Sequence, residues 1–410
     1  MTLIKSISGI RGTIGGTEGE SFTPIDICKF TAAYSQWLKT QNNKTKQTVV
    51  VGRDARISGP IVRDLVCSTL ISMGNDVIDL GLATTPTTEM AVMLEKADGG
   101  IIITASHNPR NWNALKLLNN KGEFISAEDG DKILKFAENN DYTFADVDNL
   151  GHLYYIEAYD FFHIQEILKL ELVNTDAIRK ANFKIAIDCV NSVGGIAIPK
   201  LLNALGIDNV IELYCTPNGE FPHNPEPLPE NINDISNLIK REGADLGFVV
   251  DPDVDRLAIV CEDGSMFGEE YTLVAIADYI LQKEKGNTVS NLSSSRALRD
   301  ITLKHRGNYF ASAVGEVNVV QMMKEKNAVI GGEGNGGIIY PKLHYGRDAL
   351  VGIALFLSYL AEKQCIVSEI RGSLPKYVMS KNKIELTPDI DVDNVLNEMA
   401  KKYSHENIST

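Results

Sequence analysis

Three short stretches of this 410-residue chain carry side chains whose types and spacing could do chemistry. The first is IIITASHNPRNWNALK (101–116), where Ser106 and His107 stand together after an apolar run of β type and before an Asn-Pro turn. A serine nucleophile with a histidine base is one reading. Adjacent residues of an extended segment point to opposite sides, however, so His107 is badly placed to take a proton from Ser106. No G-x-S-x-G elbow surrounds the serine either. A polar loop closing the strand is the plain alternative. Its position at a strand's carboxyl end keeps a functional reading open, because open α/β sheets bind ligands there.

The second stretch is ADLGFVVDPDVDRLAIVCEDG (244–264), in which Asp251, Asp253 and Asp255 alternate between two apolar strands. In an extended conformation, period two sends all three carboxylates to one side, where their oxygens can converge on a hard cation. Three anions so close repel one another unless a cation sits among them. Counted from Asp251, Glu262 falls at the twelfth position of an EF-hand loop, but the sixth is Arg256 where the sharp turn needs glycine. The flanks LGFVV and LAIVC also read as strands. All-oxygen ligands favour Mg²⁺ over Zn²⁺; a solvated acidic turn is the alternative.

The third stretch is AVIGGEGNGGIIYP (328–341). Gly332, Gly334 and Gly337 spell G-x-G-x-x-G after a strand, yet a dinucleotide site requires a helix next, and β-type IIYP follows. That argues against NAD. Glu333 and Asn335, carried on a glycine-rich turn, could instead offer hydrogen bonds to sugar hydroxyls.

The elements that must position these residues repeat one plan of strand, amphipathic helix, glycine and second strand. TVVVGRD (48–54) leads to a helix from about Pro60 to Met73, then Gly74 and DVIDLG. FKIAID (183–188) leads to a helix from about Ile196 to Leu205, then Gly206 and NVIELY. NTVSNLSSS (287–295) leads to a helix starting near Arg296, then Gly307 and YFASAVG. Each reads as a βαβ unit with glycine supplying the left-handed turn at the helix end. The spacing predicts α/β domains at 1–150, 151–260 and 261–370, with 371–410 left over. Thr23-Pro24-Ile25-Asp26 places a cap, an N1 proline and a capping-box acid in register for an opening helix.

Composition narrows the classes. The net charge of −14, with Lys and Arg numbering 40 against 54 Asp and Glu, and the lack of a basic stripe argue against a nucleic-acid partner. A few placed arginines can still make a local site for an anionic small substrate. No apolar run nears the ~20 residues of a membrane span. MTLIKSISGIRG does not read as a secretory signal, so the default expectation is a cytoplasmic protein. The six cysteines stand singly, with no zinc spacing, and read as reduced core residues.

Taken together the segments resemble the α-D-phosphohexomutases, the family of phosphoglucomutase, phosphomannomutase and phosphoglucosamine mutase. The resemblance rests on SGIRG (8–12), VGRDARISG (51–59), GLATTPTTEMAV (81–92), TASHNPRNWNALK (104–116), FPHNPEP (221–227), DPDVDRLA (251–258), VGEVNV (314–319), GGEGNGG (331–337) and GSLPKY (372–377), in that order. It implies three similar α/β domains with mixed sheets, and a partial fourth α+β domain at 371–410 that would bind phosphate, in a heart-shaped arrangement around a central cleft. It implies that Ser106 is a phosphoserine passing its phosphoryl group between the 1- and 6-positions of a hexose phosphate through a 1,6-bisphosphate intermediate. Mg²⁺ would be held by Asp251, Asp253, Asp255 and a phosphoserine oxygen. Lys116, its pKa lowered by Arg11 and the cation, would be the general acid or base, and Arg11 would orient or polarise. Arg256, Glu333, Asn335, His107 and Asn113 would bind substrate, with Arg53 and His223 in support.

The chain departs from the family pattern at several positions. Ala114 stands where many relatives have glycine, and Gly337 where many bacterial members have histidine. The EGNGG form tilts the expected substrate toward glucosamine phosphate, ahead of glucose or mannose phosphates. After GSLPKY the family continues to an Arg-x-Ser-x-Thr-Glu-Pro-like loop for the phosphate that is not transferred, and the residues up to HENIST (405–410) do not contain it. The expectation is either a shortened chain or one without the usual phosphate clamp, and a non-catalytic sugar-phosphate-binding protein is the alternative from another class.

Overall fold

A computed structural model of the chain describes residues 2–6, 9–42, 44, 46–379 and 390–405. It divides into two compact units, Met1–Lys376 and Tyr377–Thr410. In the first, short β-branched runs become strands buried on both faces, as parallel sheets covered by helices require. The first sheet has seven strands: β1 (Ile4–Ser6), β2 (Gly9–Thr13), β3 (Thr48–Arg53), β4 (Asp76–Leu82), β5 (Gly99–Ile103), β6 (Trp112–Leu118) and β7 (Leu153–Tyr155), in the order β1-β2-β6-β5-β3-β4-β7. The second contains β8 (Ile185–Asp188), β9 (Val210–Leu213), β10 (Leu246–Val250) and β11 (Leu257–Cys261), ordered β11-β10-β8-β9. The third contains β12 (Asn287–Asn291), β13 (Tyr309–Ser312), β14 (Ala328–Glu333) and β15 (Gly337–Ile339), ordered β13-β12-β14-β15.

One four-strand arrangement recurs: β6-β5-β3-β4, β11-β10-β8-β9 and β15-β14-β12-β13. In each, a central strand pairs in parallel with the strand reached through a helix and, on its other side, with a third parallel strand. That third strand then pairs antiparallel with the next. The three mixed α/β units expected from the sequence are therefore present. Their crossover helices are Gly59–Ser72, Gly194–Ala204 and Ala297–Lys304. Thr23 caps the helix Pro24–Gln41 with the full capping box.

The third unit differs in its helix exit. Gly74 and Gly206 take positive φ, but in the third unit Arg306 does so, at +60°, and Gly307 does not. Glycine is needed at 307 for space instead, since a Cβ there would lie 2.1 Å from the carbonyl oxygen of Gly286.

The helix Ala349–Lys363 is buried from Ala349 through Ala361 and packs against the helices Tyr271–Lys283, Thr175–Ala181 and Gly194–Ala204. Among the described residues no single helix is long and apolar enough to cross a membrane. Of the expected fourth domain, the unit Tyr377–Thr410 shows the helix Val392–Lys402, capped by Asp391, and no strand among its described residues. Residues 380–389 and 406–410, which include most of HENIST, lie outside the described residues.

Candidate active site

The three stretches singled out by their chemistry occupy the same place in the three units. Each is the connection from the third parallel strand to its antiparallel neighbour: 104–111 between β5 and β6, 251–256 between β10 and β11, and 334–336 between β14 and β15. These connections leave the carboxyl ends of strands beside the point where strand order reverses, the usual ligand crevice of such sheets.

Ser106 sits in the first connection, buried, with φ +47°, in the left-handed region that non-glycine residues seldom adopt. Its N–H donates to Thr104 Oγ1 at 2.9 Å and its Oγ donates to Asp251 Oδ2 at 2.8 Å. The buried Arg56 guanidinium holds the loop: Nη2 donates to the carbonyls of Ser106 (2.5 Å) and Asn108 (2.6 Å), and Nη1 to those of Pro109 (2.7 Å) and Trp112 (3.1 Å). Asp54 fixes Arg56 in turn through Nε at 3.1 Å and also accepts from Thr104 Oγ1.

Asp251, Asp253 and Asp255 are fully buried, and one carboxylate oxygen from each falls within a 4.8 Å cluster that could hold a metal ion. Strand alternation is not what brings them together. Over four extended residues the chain would advance about 13 Å. Here β10 ends at Val250, β11 starts at Leu257, and the turn between them puts β-branched Val254 at φ +63°. The antiparallel strands on either side also rule out an EF-hand.

Burial and then the charges of Asp255 and Asp253 hold the Asp251 carboxyl well above the usual range. Burial pushes Asp253 the same way, but Lys116 overrides it and leaves Asp253 depressed. Thr85 Oγ1 donates to Asp253 Oδ2 at 2.6 Å. Asp253 Oδ1 and Asp255 Oδ1 are buried without a hydrogen-bond donor. Open carboxylate oxygens inside an all-oxygen cluster suit a hard divalent cation.

Lys116 reaches the acidic turn. Its Nζ lies 2.7 Å from Asp253 Oδ2 and 3.4 Å from Asp255 Oδ2. Burial works to lower its pKa, but the two carboxylates outweigh it and hold Lys116 above the ordinary lysine value. Arg11 reaches the pocket because β2 pairs with β6 in the register Arg11↔Ala114.

In the third connection Glu333 ends β14 and is almost fully buried. Its Oε1 accepts from Asn291 Nδ2 (2.7 Å) and the Gly315 N–H (3.2 Å). Asn335 Oδ1 accepts from the Gly337 N–H at 3.3 Å. Strand β15 follows directly, so no helix is available to receive a pyrophosphate. Arg347 spans this loop and the acidic turn. Nε donates to Glu316 Oε2 (2.8 Å), Nη1 to Glu333 Oε2 (2.8 Å) and Nη2 to Asp255 Oδ2 (2.6 Å). Burial pushes the Glu316 carboxyl up to about 6 even so.

A pocket of about 240 Å³ opens above these groups, lined among others by Arg11, Ser106, His107, Lys116, Arg256, Glu333, Asn335 and Arg347. Nε of Arg11, Nε of Arg256 and Nδ1 of His107 are buried without a hydrogen-bond partner, although Arg256 Nε lies 3.8 Å from Asp255 Oδ1 as an ion pair. Burial and the neighbouring Arg256 push the His107 imidazole down to about 4, so it is neutral near pH 7.

Three candidates lie elsewhere. Asn113 faces away from the pocket, because alternation along β6 turns Ala114 and Lys116 toward it, and its Nδ2 donates to Ser58 Oγ at 2.9 Å. Arg53 binds the carbonyl of Asp54, and His223 sits against Asp188 at 3.0 Å. Sequence reasoning missed Arg56, Thr85, Glu316 and Arg347. The first two lie within VGRDARISG and GLATTPTTEMAV, and Glu316 within VGEVNV, so their segments were noticed but their roles were not. Nothing local marks Arg347.

Successive stretches match the family models for phosphoglucomutase/phosphomannomutase α/β/α domains I, II and III, at residues 3–144, 162–264 and 268–377. The chain belongs to the α-D-phosphohexomutase family. Members of this family are isomerases, that is, intramolecular phosphotransferases. A phosphoglucomutase/phosphomannomutase of Thermococcus kodakarensis is 34% identical over 389 residues, covering 92% of this chain and 83% of its own. A protein of Methanopyrus kandleri described as a "probable phosphoglucosamine mutase" is 32% identical over 385 residues, covering 93% and 81%. Among solved structures, a phosphoglucomutase/phosphomannomutase family protein of Burkholderia thailandensis superposes with a TM-score of 0.80 at 26% identity, covering 92% of this chain and 81% of that one. This phosphohexomutase has glycine at 337, and the Arg347 stem fills the space beside it: a Cβ at 337 would lie 2.3 Å from Arg347 Cδ.

Proposed function

We propose that this phosphohexomutase carries a phosphoryl group on Ser106 and exchanges it with the 1- and 6-hydroxyls of a hexose phosphate, with glucosamine phosphate as first substrate and glucose or mannose phosphates as alternatives. The observation that carries the reading is the Ser106 Oγ contact with Asp251, at the floor of a pocket that also presents Arg11, Lys116 and Glu333. The EGNGG turn and the name of the Methanopyrus relative favour the amino sugar.

Asp251, Asp253 and Asp255 would hold Mg²⁺ together with an oxygen of phospho-Ser106. Bound there, the cation supplies positive charge to the transferring phosphoryl group. In the first half-reaction the Ser106 Oγ–P bond breaks and a new O–P bond forms to the sugar hydroxyl. Lys116 gives a proton to the departing serine oxygen and regains one from the attacking hydroxyl. The bisphosphate turns over in the pocket and returns its other phosphoryl group to Ser106. Arg256 and Arg11 offer guanidinium groups to phosphate oxygens. Glu333 and Asn335 bind sugar hydroxyls, and neutral His107 can donate or accept a hydrogen bond.

Intact-protein mass and peptide mapping of 101–116 test the carrier directly. The expected result is a fraction heavier by one phosphoryl group, mapped to Ser106, that is regenerated by a hexose 1,6-bisphosphate with Mg²⁺. Ser106→Ala is expected to lose both the label and about a thousandfold or more in turnover. Isomerisation retained by Ser106→Ala would sink the role given to this serine, and phosphate release without isomerisation would mark a hydrolase. Comparing kcat/KM for glucosamine, glucose and mannose phosphates decides the substrate.

A further inference from the structure

Arg347 joins three acids that come from three separate segments. Glu316 opens the helix Glu316–Glu325, Glu333 ends β14, and Asp255 belongs to the acidic turn after β10. Arg347 is 8% exposed, and its partners are 7%, 4% and 0% exposed, so little water screens these bonds. A guanidinium presents its donors in a rigid plane. Serving three acceptors at once therefore fixes the acids relative to one another in distance and direction, which a lysine ammonium would not do. Gly337 makes the room, since a Cβ there would meet the arginine stem at Cδ (2.3 Å) and Cγ (3.0 Å). Gly337 does not have positive φ, so its missing side chain serves this packing and not the backbone.

We infer that Arg347 is a positioning residue that couples the sugar side of the pocket to the metal side, by locking Glu333 and Asp255 to one guanidinium. The inference rests on the proposed reading in taking Glu333 as a sugar ligand and the aspartate turn as the seat of a cation. A sugar hydroxyl that settles Glu333 settles Arg347 and, through Nη2, Asp255. A cation that settles Asp255 acts in the reverse direction, and linkage requires the two effects to be equal.

The test is a Mn²⁺ titration of the full chain, followed by electron paramagnetic resonance, with and without glucosamine 6-phosphate held below the concentration at which it chelates the ion itself. The wild type, Arg347→Met, Arg347→Lys and Gly337→Ala are compared, each first checked for cooperative thermal unfolding. In the wild type the sugar phosphate is expected to tighten Mn²⁺ binding about fivefold or more. In Arg347→Met the factor should fall below about twofold. Gly337→Ala should do the same while keeping every charge, because its methyl displaces the arginine stem. Arg347→Lys should fall between. In steady-state assays both displaced variants should raise KM for the sugar phosphate at low Mg²⁺ far more than at saturating Mg²⁺.

A wild type without coupling, or folded variants that keep the wild-type factor within twofold, overturns the role. Should Arg347→Met fail to fold, Gly337→Ala and Arg347→Lys decide it in the same way. The titration needs no turnover. Failure of Ser106 to accept a phosphoryl group would therefore strike the mutase reading alone, while an active mutase with uncoupled sites would strike Arg347 alone.

Discussion

Ser106 is held at a backbone angle that an unconstrained serine avoids, and the constraint comes from Arg56. Four carbonyls of residues 106 to 112 converge on that guanidinium, and Asp54 beneath it is a buried carboxyl whose pKa is raised by burial and lowered by Arg56. Arg56→Lys keeps a charge but cannot reach four carbonyls in a plane, so the serine oxygen should lose its aim. The expected effect is a fall in kcat of about a hundredfold with a smaller change in KM. Arg56→Met also leaves Asp54 as an uncompensated buried charge and should cost about 3–5 kcal/mol in denaturant unfolding. Wild-type kcat in Arg56→Lys would show that the loop aims itself. Sequence reasoning named Arg53 in support and missed Arg56, which stands three residues on in the same motif. The choice is made by carbonyls 50 to 56 residues away.

Among the elements, the helix Ala349–Lys363 shows how a cap can join two parts of the fold. Asp348 Oδ1 accepts from the N–H groups of Leu350 (2.8 Å) and Val351 (3.2 Å), while Oδ2 faces Nε2 of His163 (2.9 Å) and of His344 (3.3 Å). Burial pushes the Asp348 carboxyl up, but His163 and His344 override it and hold it well below the usual carboxylate range. Burial lowers the pKa of His344. Both depressed groups bind protons more readily in the unfolded chain. Stability is therefore complete above the ordinary histidine range, begins to fall as pH drops below about 6.5 through His344, and falls further below about 4 through Asp348. Asp348→Ala should cost about 1–2 kcal/mol for the cap alone, plus the loss of an acceptor for two buried imidazoles. Its unfolding midpoint should also decline less steeply than the wild type's between pH 5 and pH 3. Parallel slopes would remove Asp348 from the acid transition. The crossover helices and their strands were legible because periodicity and glycine punctuation are local signals. The positive φ at Arg306 was not, since Gly307 is required by the nearby Gly286 carbonyl, a contact between the segments that enter β13 and β12.

Across the whole first unit, three copies of one topology bring three equivalent connections to one pocket, and the acidic turn is where they meet. Asp251 touches Ser106, Asp253 touches Thr85 and Lys116, and Asp255 touches Arg347. Ser192 ties the same turn to the first sheet's loop, accepting from the Ala55 N–H and donating to the Pro252 carbonyl. The serine, the lysine and the aspartates could be named from the sequence because each lies in a compact motif. The cross-links could not, because Asp255 and Arg347 are 92 positions apart and Ser106 and Asp251 are 145 apart. This arrangement concentrates negative charge at the seam of the fold, where burial and then the charges of Asp255 and Asp253 raise the Asp251 pKa. Asp251→Asn removes one of those charges with little change of shape. At pH 8 without divalent cations it should therefore unfold at a higher temperature than the wild type, by an amount worth about 1–2 kcal/mol. Added Mg²⁺ should reverse the order. The wild type gains about 1.4 kcal/mol for each tenfold excess of free cation over its Kd, whereas the variant, short of a ligand, should scarcely respond. Because the turn is bonded to segments of all three α/β regions, the shift should move the whole cooperative transition of Met1–Lys376 and not a fraction of it. Calorimetric scans of both proteins with EDTA and with Mg²⁺ would show this. A wild-type midpoint indifferent to Mg²⁺, together with an Asp251→Asn midpoint no higher than the wild type's in EDTA, would mean that the turn is a structural acidic cluster and not the seat of a cation.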